Sequence, residues 1–172
     1  LISQDLEVKQ IENFEDLQFA VPTLGFQKGA YSGSGITLRG IGNFAVGNSS
    51  SASIGYFWNG QSASASGLYE AEFFDVERVE VLRGPQGSLF GAGTTGGLIQ
   101  MITKRPDAEA GGYIKTDVAD YDSVRLEGAV NLPLSDTLRA RFAFASLERD
   151  GFVTNSHTGN KLDNRSTQAA RM

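Results

Sequence analysis

Residues 91–97 read GAGTTGG, a glycine spacing that in a nucleotide-binding enzyme would cradle a pyrophosphate. Such a loop works because a strand delivers the first glycine and a helix follows the last, its N-terminal amides and positive dipole end meeting the phosphates. Here the turn-forming Gly84-Pro85-Gln86-Gly87 and then Ser88-Leu89-Phe90 come before the glycines, and a β-rich run ended by Pro106, LIQMITKRP, comes after. Asp117 stands about where a ribose-binding acid would be expected, but no strand-helix-strand unit fits between. No Lys followed by Ser or Thr closes a glycine loop, so the phosphate-loop pattern fails as well. These glycines are expected instead to supply positive φ and close backbone packing in a tight crossover between two strands.

Other chemistry finds little material. His157 is the only histidine and lies in a polar loop, so neither a Ser-His-Asp triad nor a histidine-rich metal site is available. The absence of cysteine removes disulfides, thiol nucleophiles and cysteine zinc sites together. Glu70, Glu72, Asp75 and Glu77 read as a solvated acidic segment rather than a glycosidase pair, which would need an enclosing cleft. A net charge of −5, with both signs mixed along the chain, gives no basic footprint for nucleic acid. No catalytic residue, cofactor or metal is expected. No apolar run reaches the ~20 residues of a spanning helix, so any membrane crossing must be made by strands.

The elements that would position these residues fall into two textures. Two short helices are expected at the start, one after Ser3 and one after Asn13, each with acidic first-turn residues, the second stopped by Pro22. Between Gly25 and Gly67 the chain is rich in Gly and Ser, and only Ile36–Arg39 and Ile54–Trp58 read as strands, the latter turning back at Asn59-Gly60. Val76 to Arg83 reads as a further strand. Beyond Pro106 and the linker DAEAGG the pattern becomes regular. Val124, Leu126, Val130 and Leu132 alternate with Arg125, Glu127, Ala129 and Asn131, and Phe142 and Phe144 alternate with Arg141, Ala143 and Ala145. Ile114, Thr116 and Val118 oppose Tyr113, Lys115 and Asp117 less cleanly, and a fourth strand starts near the C-terminus. Such strands suit a transmembrane barrel and a soluble sandwich alike, because alternation does not say which face meets water.

The run FDVERVEVLRGPQGSLFGAGTTGGLIQMITKRP resembles the plug signature of TonB-dependent outer-membrane receptors. LEVKQIENFEDLQFAVPTLGF resembles the helical opening of their plug domain, SGSGITLRGIG its first Arg-Gly element, GYFWNGQ its central hairpin, and the strands after Pro106 the first barrel strands. The implied fold is an α+β plug, a small mixed sheet with short helices, over residues 1–106, followed over residues 107–172 by the first strands of an antiparallel transmembrane β-barrel. In the family the plug fills a barrel of about 22 strands, wide enough to require one. With Leu1 lacking a leader and so few strands present, the chain is expected to be a fragment, truncated at both ends.

The implied function is energy-coupled uptake of a scarce large nutrient, most often a ferric siderophore, across the outer membrane of a Gram-negative bacterium. The implied partners are the TonB energy-transducing complex, acting through a box absent here, and outer-membrane lipid. Arg39 in LRG and Arg83 in VLRG match two plug arginines thought to pair with barrel glutamates; local packing against each turn is the alternative. Gly84, Gly87, Gly91, Gly96 and Gly97 match the motif as shape-setting residues. Outward plug loops offer Phe44, Asn48 and Tyr69 as ligand contacts, with Trp58 expected in the core. The competing reading is a soluble β-rich binding or adhesion module without transport.

Overall fold

In the computed structural model the described residues are 1–28, 34–42, 53–63, 66–91 and 93–172. They form two compact units, Leu1–Thr103 and Lys104–Met172.

The first unit opens with two helices, α1 (Ser3–Val8) and α2 (Phe14–Ala20). Asn13 caps α2 as expected, its side-chain oxygen accepting the Asp16 N–H at 3.0 Å, while Asp16 takes the Glu12 N–H at 2.9 Å. Ser3 does not cap α1. The cap position falls on Ile2, whose N–H donates to the Asp5 carboxylate at 3.0 Å, because Leu1 and Ile2 are held in strand pairing further along the chain. That partner is β6 below: the Leu1 amine donates to the Val79 carbonyl at 3.0 Å, and the Val79 N–H returns to Leu1 at 2.8 Å.

Strands β1 (Leu24–Lys28), β2 (Ser34–Leu38) and β3 (Ile41–Gly42) make an antiparallel sheet, β1 being a strand that the glycine-rich composition concealed. A second, mixed sheet contains β4 (Ile54–Trp58), β5 (Gln61–Ser62), β6 (Val76–Arg83) and β7 (Gly97–Thr103) in the order β5-β4-β7-β6. Strand β7 runs parallel to β4, with Ile99 opposite Tyr56, and antiparallel to β6, with Met101 opposite Val79. Its apolar run, broken only by the partly buried Gln100, follows from that central place: Leu98, Ile99 and Met101 are fully buried between two neighbouring strands. The turn between β4 and β5 is the expected Asn-Gly hairpin, with φ of 50° at Asn59 and 83° at Gly60.

The core of this unit is an aromatic knot. Phe14 meets Tyr56, Tyr69 and Phe73 edge-on at ring distances of 4.9, 5.8 and 5.2 Å. Burying such a ring contributes about 2–3 kcal/mol, and each well-set ring pair about 1 kcal/mol more.

The second unit is an antiparallel sheet of β8 (Gly111–Ala119), β9 (Ser123–Pro133), β10 (Arg139–Arg149) and β13 (Arg165–Arg171), in the order β13-β10-β9-β8. A small hairpin, β11 (Val153–Thr154) with β12 (Lys161–Leu162), occupies the polar loop before β13. Within these residues the sheet is open and does not close into a barrel. Its two faces are inverted relative to a water-soluble protein. Arg125, Glu127, Ala129 and Asn131 are at most 9% exposed, whereas Ile114 and Val118 are 76% exposed and Phe142 and Phe144 are 42% and 40% exposed. A soluble sandwich buries its apolar face; a barrel wall turns it toward lipid and keeps the polar one inside.

Polar groups on the sheltered face bond to one another. Tyr113 donates its hydroxyl to Glu127 at 2.7 Å, and Arg125 donates to the other Glu127 oxygen at 3.3 Å. Asn131 accepts the Asp107 N–H at 2.9 Å and donates to the carbonyls of Asp107 and Glu109, tying the segment that enters β8 to β9.

Candidate functional site

The two motif arginines lie at the ends of strands whose turns the sequence dictates. Arg39 follows β2 and occupies the left-handed region at φ 56°, with Gly40 beside it at 78°. A left-handed arginine is uncommon and persists only where its surroundings hold it, here through a 2.8 Å bond from the Arg39 N–H to the Thr23 carbonyl. Arg83 is the last residue of β6, directly before Gly84 at φ 89°. Both side chains are exposed, and among the described residues neither makes an ion pair.

The structure brings the two arginine elements onto one pair of glycines. A Cβ built on Gly97 would stand 2.4 Å from the Leu82 carbonyl oxygen, 2.7 Å from Cδ2 of Leu38 and 3.5 Å from the Arg83 Cα. One on Gly96 would stand 2.8 Å from Ile41, just past the Arg39 turn. Gly97 is therefore pressed by a residue flanking Arg39 and by the end of the Arg83 strand together, while the adjacent Gly96 is crowded by Ile41 and Ile54. Gly84 and Gly91 have positive φ and open space around them, while Gly87 has neither a positive φ nor a crowded Cβ position. Between them lies a four-residue helix, α3 (Gly87–Phe90), which leaves Leu89 exposed. A strand, not a helix, follows Gly97, so the G-x-G-x-x-G spacing builds no phosphate site.

Of the proposed ligand contacts, Phe44 and Asn48 lie outside the described residues. Tyr69 is placed in a 3-10 turn with its ring in the aromatic knot, and burial pushes its phenol upward. Trp58 is partly buried against the same core. The acidic segment differs from the reading of it as solvated: Glu72 and Asp75 are buried, and Glu70 accepts the Ser34 hydroxyl at 2.7 Å. The cause is local, since Phe73 and Phe74 enter the core and carry their neighbours with them. His157 sits in the loop before β12, with its N–H on the Asn155 side chain at 2.9 Å. Among the described residues no three His, Cys, Asp or Glu side chains gather as metal ligands.

Sequence reasoning passed over Thr94, which is 1% exposed at the centre of the glycine run. Its place as one of two threonines, with Thr95, among the glycines of the motif was the available signal.

Residues 2–98 match the TonB-dependent Receptor Plug Domain family. The chain belongs to the TonB-dependent receptors. Among curated relatives it is similar to the pesticin receptor of Yersinia pestis, 40% identical over 88 residues, which is 49% of this chain and 13% of the relative. It is also similar to a ferric enterobactin receptor of Pseudomonas aeruginosa, 30% identical over 129 residues, 72% of this chain and 17% of that one. The chain thus spans under a fifth of the length of these receptors. Among solved structures it is similar to the ferric yersiniabactin uptake receptor of Yersinia pestis, with a TM-score of 0.79, 27% identity, and coverage of 99% of this chain and 27% of that one. The fold of this TonB-dependent receptor chain is accordingly a plug with its mixed sheet and short helices, then the opening strands of the wall. The family is one of outer-membrane receptors in Gram-negative bacteria, not of enzymes.

Proposed function

We propose that the chain is the gating plug and first wall strands of an energy-coupled outer-membrane transporter for a ferric siderophore. The observation that carries this reading is the inverted sheet, whose apolar face suits lipid and whose sheltered face of Arg125, Glu127 and Asn131 suits a polar lumen. The relatives named for ferric enterobactin and ferric yersiniabactin supply the substrate class. The plug is taken to end near Pro106, just beyond the division between the two compact units.

A passive pore wide enough for such a ligand would leak, so binding and opening must be separate events. In this reading Arg39 and Arg83 hold the plug shut. Each guanidinium, exposed and without an ion-pair partner among the described residues, is free to form a two-pronged bond to a wall carboxylate, which is strong and directional in a confined lumen. The TonB complex supplies the pull that breaks those bonds, and Phe44 and Asn48 are candidate ligand contacts. The exposed apolar face argues against a water-soluble binding module.

The test is a fluorescence titration of the complete purified receptor with ferric enterobactin, ferric yersiniabactin and ferric pyoverdine. Saturable quenching by one of them at sub-micromolar concentration is expected; no binding of any ferric siderophore would remove the substrate class.

A further inference from the structure

The turn carrying Arg83 is fastened by a side chain to which the latch reading gives no part. Thr94 lies across that turn, with its backbone carbonyl accepting the Gln86 N–H at 3.0 Å. Two residues on, the Gly96 carbonyl accepts the Gly84 N–H at 3.2 Å. The chain leaving Arg83 is therefore held at both Gly84 and Gln86 by the segment that Thr94 anchors.

Thr94 is itself fixed from two sides. Its hydroxyl donates to the Gly91 carbonyl at 2.8 Å, closing the glycine run on itself. Its methyl lies over β4, so that a Cβ built on Gly55 would come within 2.6 Å of Cγ2. A β-branched side chain pinned by a methyl contact and a hydrogen bond has a single usable rotamer, and a buried hydroxyl is retained only where it is bonded.

We infer that Thr94 is the positioning residue for Arg83, setting the place from which the guanidinium reaches its carboxylate partner. The inference rests on the latch reading of Arg83. Without the hydroxyl, Gly91 loses its tie and the acceptor for Gln86 is free to shift. The long arginine side chain turns a small displacement at Gly84 into a larger one at its tip. Loss of one such buried bond shifts a two-state equilibrium by about fivefold.

The experiment uses the complete receptor in the outer membrane and compares Thr94→Val, Thr94→Ser, Arg83→Ala and the Thr94→Val/Arg83→Ala double variant. Three quantities are read: entry of a bulky antibiotic normally excluded by the barrel, ferric siderophore affinity, and heat-modifiable migration as a check on folding. Thr94→Val is expected to raise antibiotic entry about fivefold, with affinity and migration unchanged, and Thr94→Ser to restore the seal. The double variant is expected to leak no more than Arg83→Ala alone, because both changes open one latch. Should Thr94→Val not reach the membrane, Thr94→Ala, which removes the hydroxyl without adding an apolar branch, replaces it. A tight Thr94→Val beside a leaky Arg83→Ala, or leakage that adds in the double variant, would overturn the assignment while leaving the latch intact. A tight Arg83→Ala would instead overturn the latch, and the role of Thr94 with it.

Discussion

Gly97 and Leu38 meet so closely that a Cβ on the glycine would stand 2.7 Å from the leucine's Cδ2, with the Leu82 carbonyl oxygen nearer still on the other side. Gly97 also has φ 141°, which side chains rarely adopt. A Gly97→Ala receptor is therefore expected to lose about 3 kcal/mol of plug stability, combining backbone strain with displaced neighbours. Hydrogen exchange on the complete protein should show faster exchange in β6 and β7. Unchanged protection there would mean that the close packing is not required.

Asn59 fastens the hairpin turn to the end of the plug unit. Its side-chain oxygen accepts the Thr103 N–H at 3.0 Å and its amide donates to the Thr103 hydroxyl at 3.0 Å. Asn59→Gly keeps the left-handed backbone and removes both bonds, so a cost of about 1–2 kcal/mol is expected. Asn59→Asp, which still accepts the N–H, should cost less. The readout is protection of the Thr103 amide, and equal protection in all three proteins would refute the fastening.

The inverted sheet makes a depth-dependent prediction. Val130→Arg or Phe144→Arg on the exposed face should destabilise the complete receptor in phospholipid vesicles by about 2–4 kcal/mol, while Ala143→Ser on the sheltered face should change little. In a water-soluble sheet the first two changes would be close to neutral. Denaturant unfolding in vesicles distinguishes the cases.

Alkali should act through the aromatic knot. Burial pushes the Tyr56 phenol well above its ordinary value of 10.0, and Tyr69, itself pushed up by burial, adds repulsion between the two phenolates. The folded state thus favours the neutral phenols, a contribution complete below about pH 10 and lost as pH rises toward the folded value. Phenolate absorbance should show that two of the five tyrosines ionise only as the plug unfolds. Tyr56→Phe should shift unfolding to higher pH. Ionisation of all tyrosines near pH 10 with the fold intact would contradict the burial.

Much of this architecture is written locally. Ile54–Trp58 with Asn59-Gly60, and Val76 to Arg83 before Gly84, carry strand periodicity and turn chemistry within a few residues, and the structure places strands and turns there. Strand β1 was not legible, because LGFQK has only two large apolar residues and gains its hydrogen bonds from β2, in a register running from Lys28 opposite Ser34 to Leu24 opposite Leu38. Glu72 and Asp75 read as solvated in sequence because their burial is decided by the two rings between them, Phe73 and Phe74, entering the core. Which face of the second sheet meets solvent was ambiguous, since alternation is the same either way. The motif arginines could be named from their Arg-Gly dipeptides, but their convergence on Gly96 and Gly97 is a tertiary fact, as is the fastening by Thr94.

The most direct test of the whole account is uptake of radio-iron, carried by whichever ferric siderophore the complete receptor binds, into cells that express it with and without a working TonB complex. The account predicts equal surface binding in both strains, with accumulation inside only the energised one. Equal accumulation without TonB, or none in either strain despite binding, would contradict it.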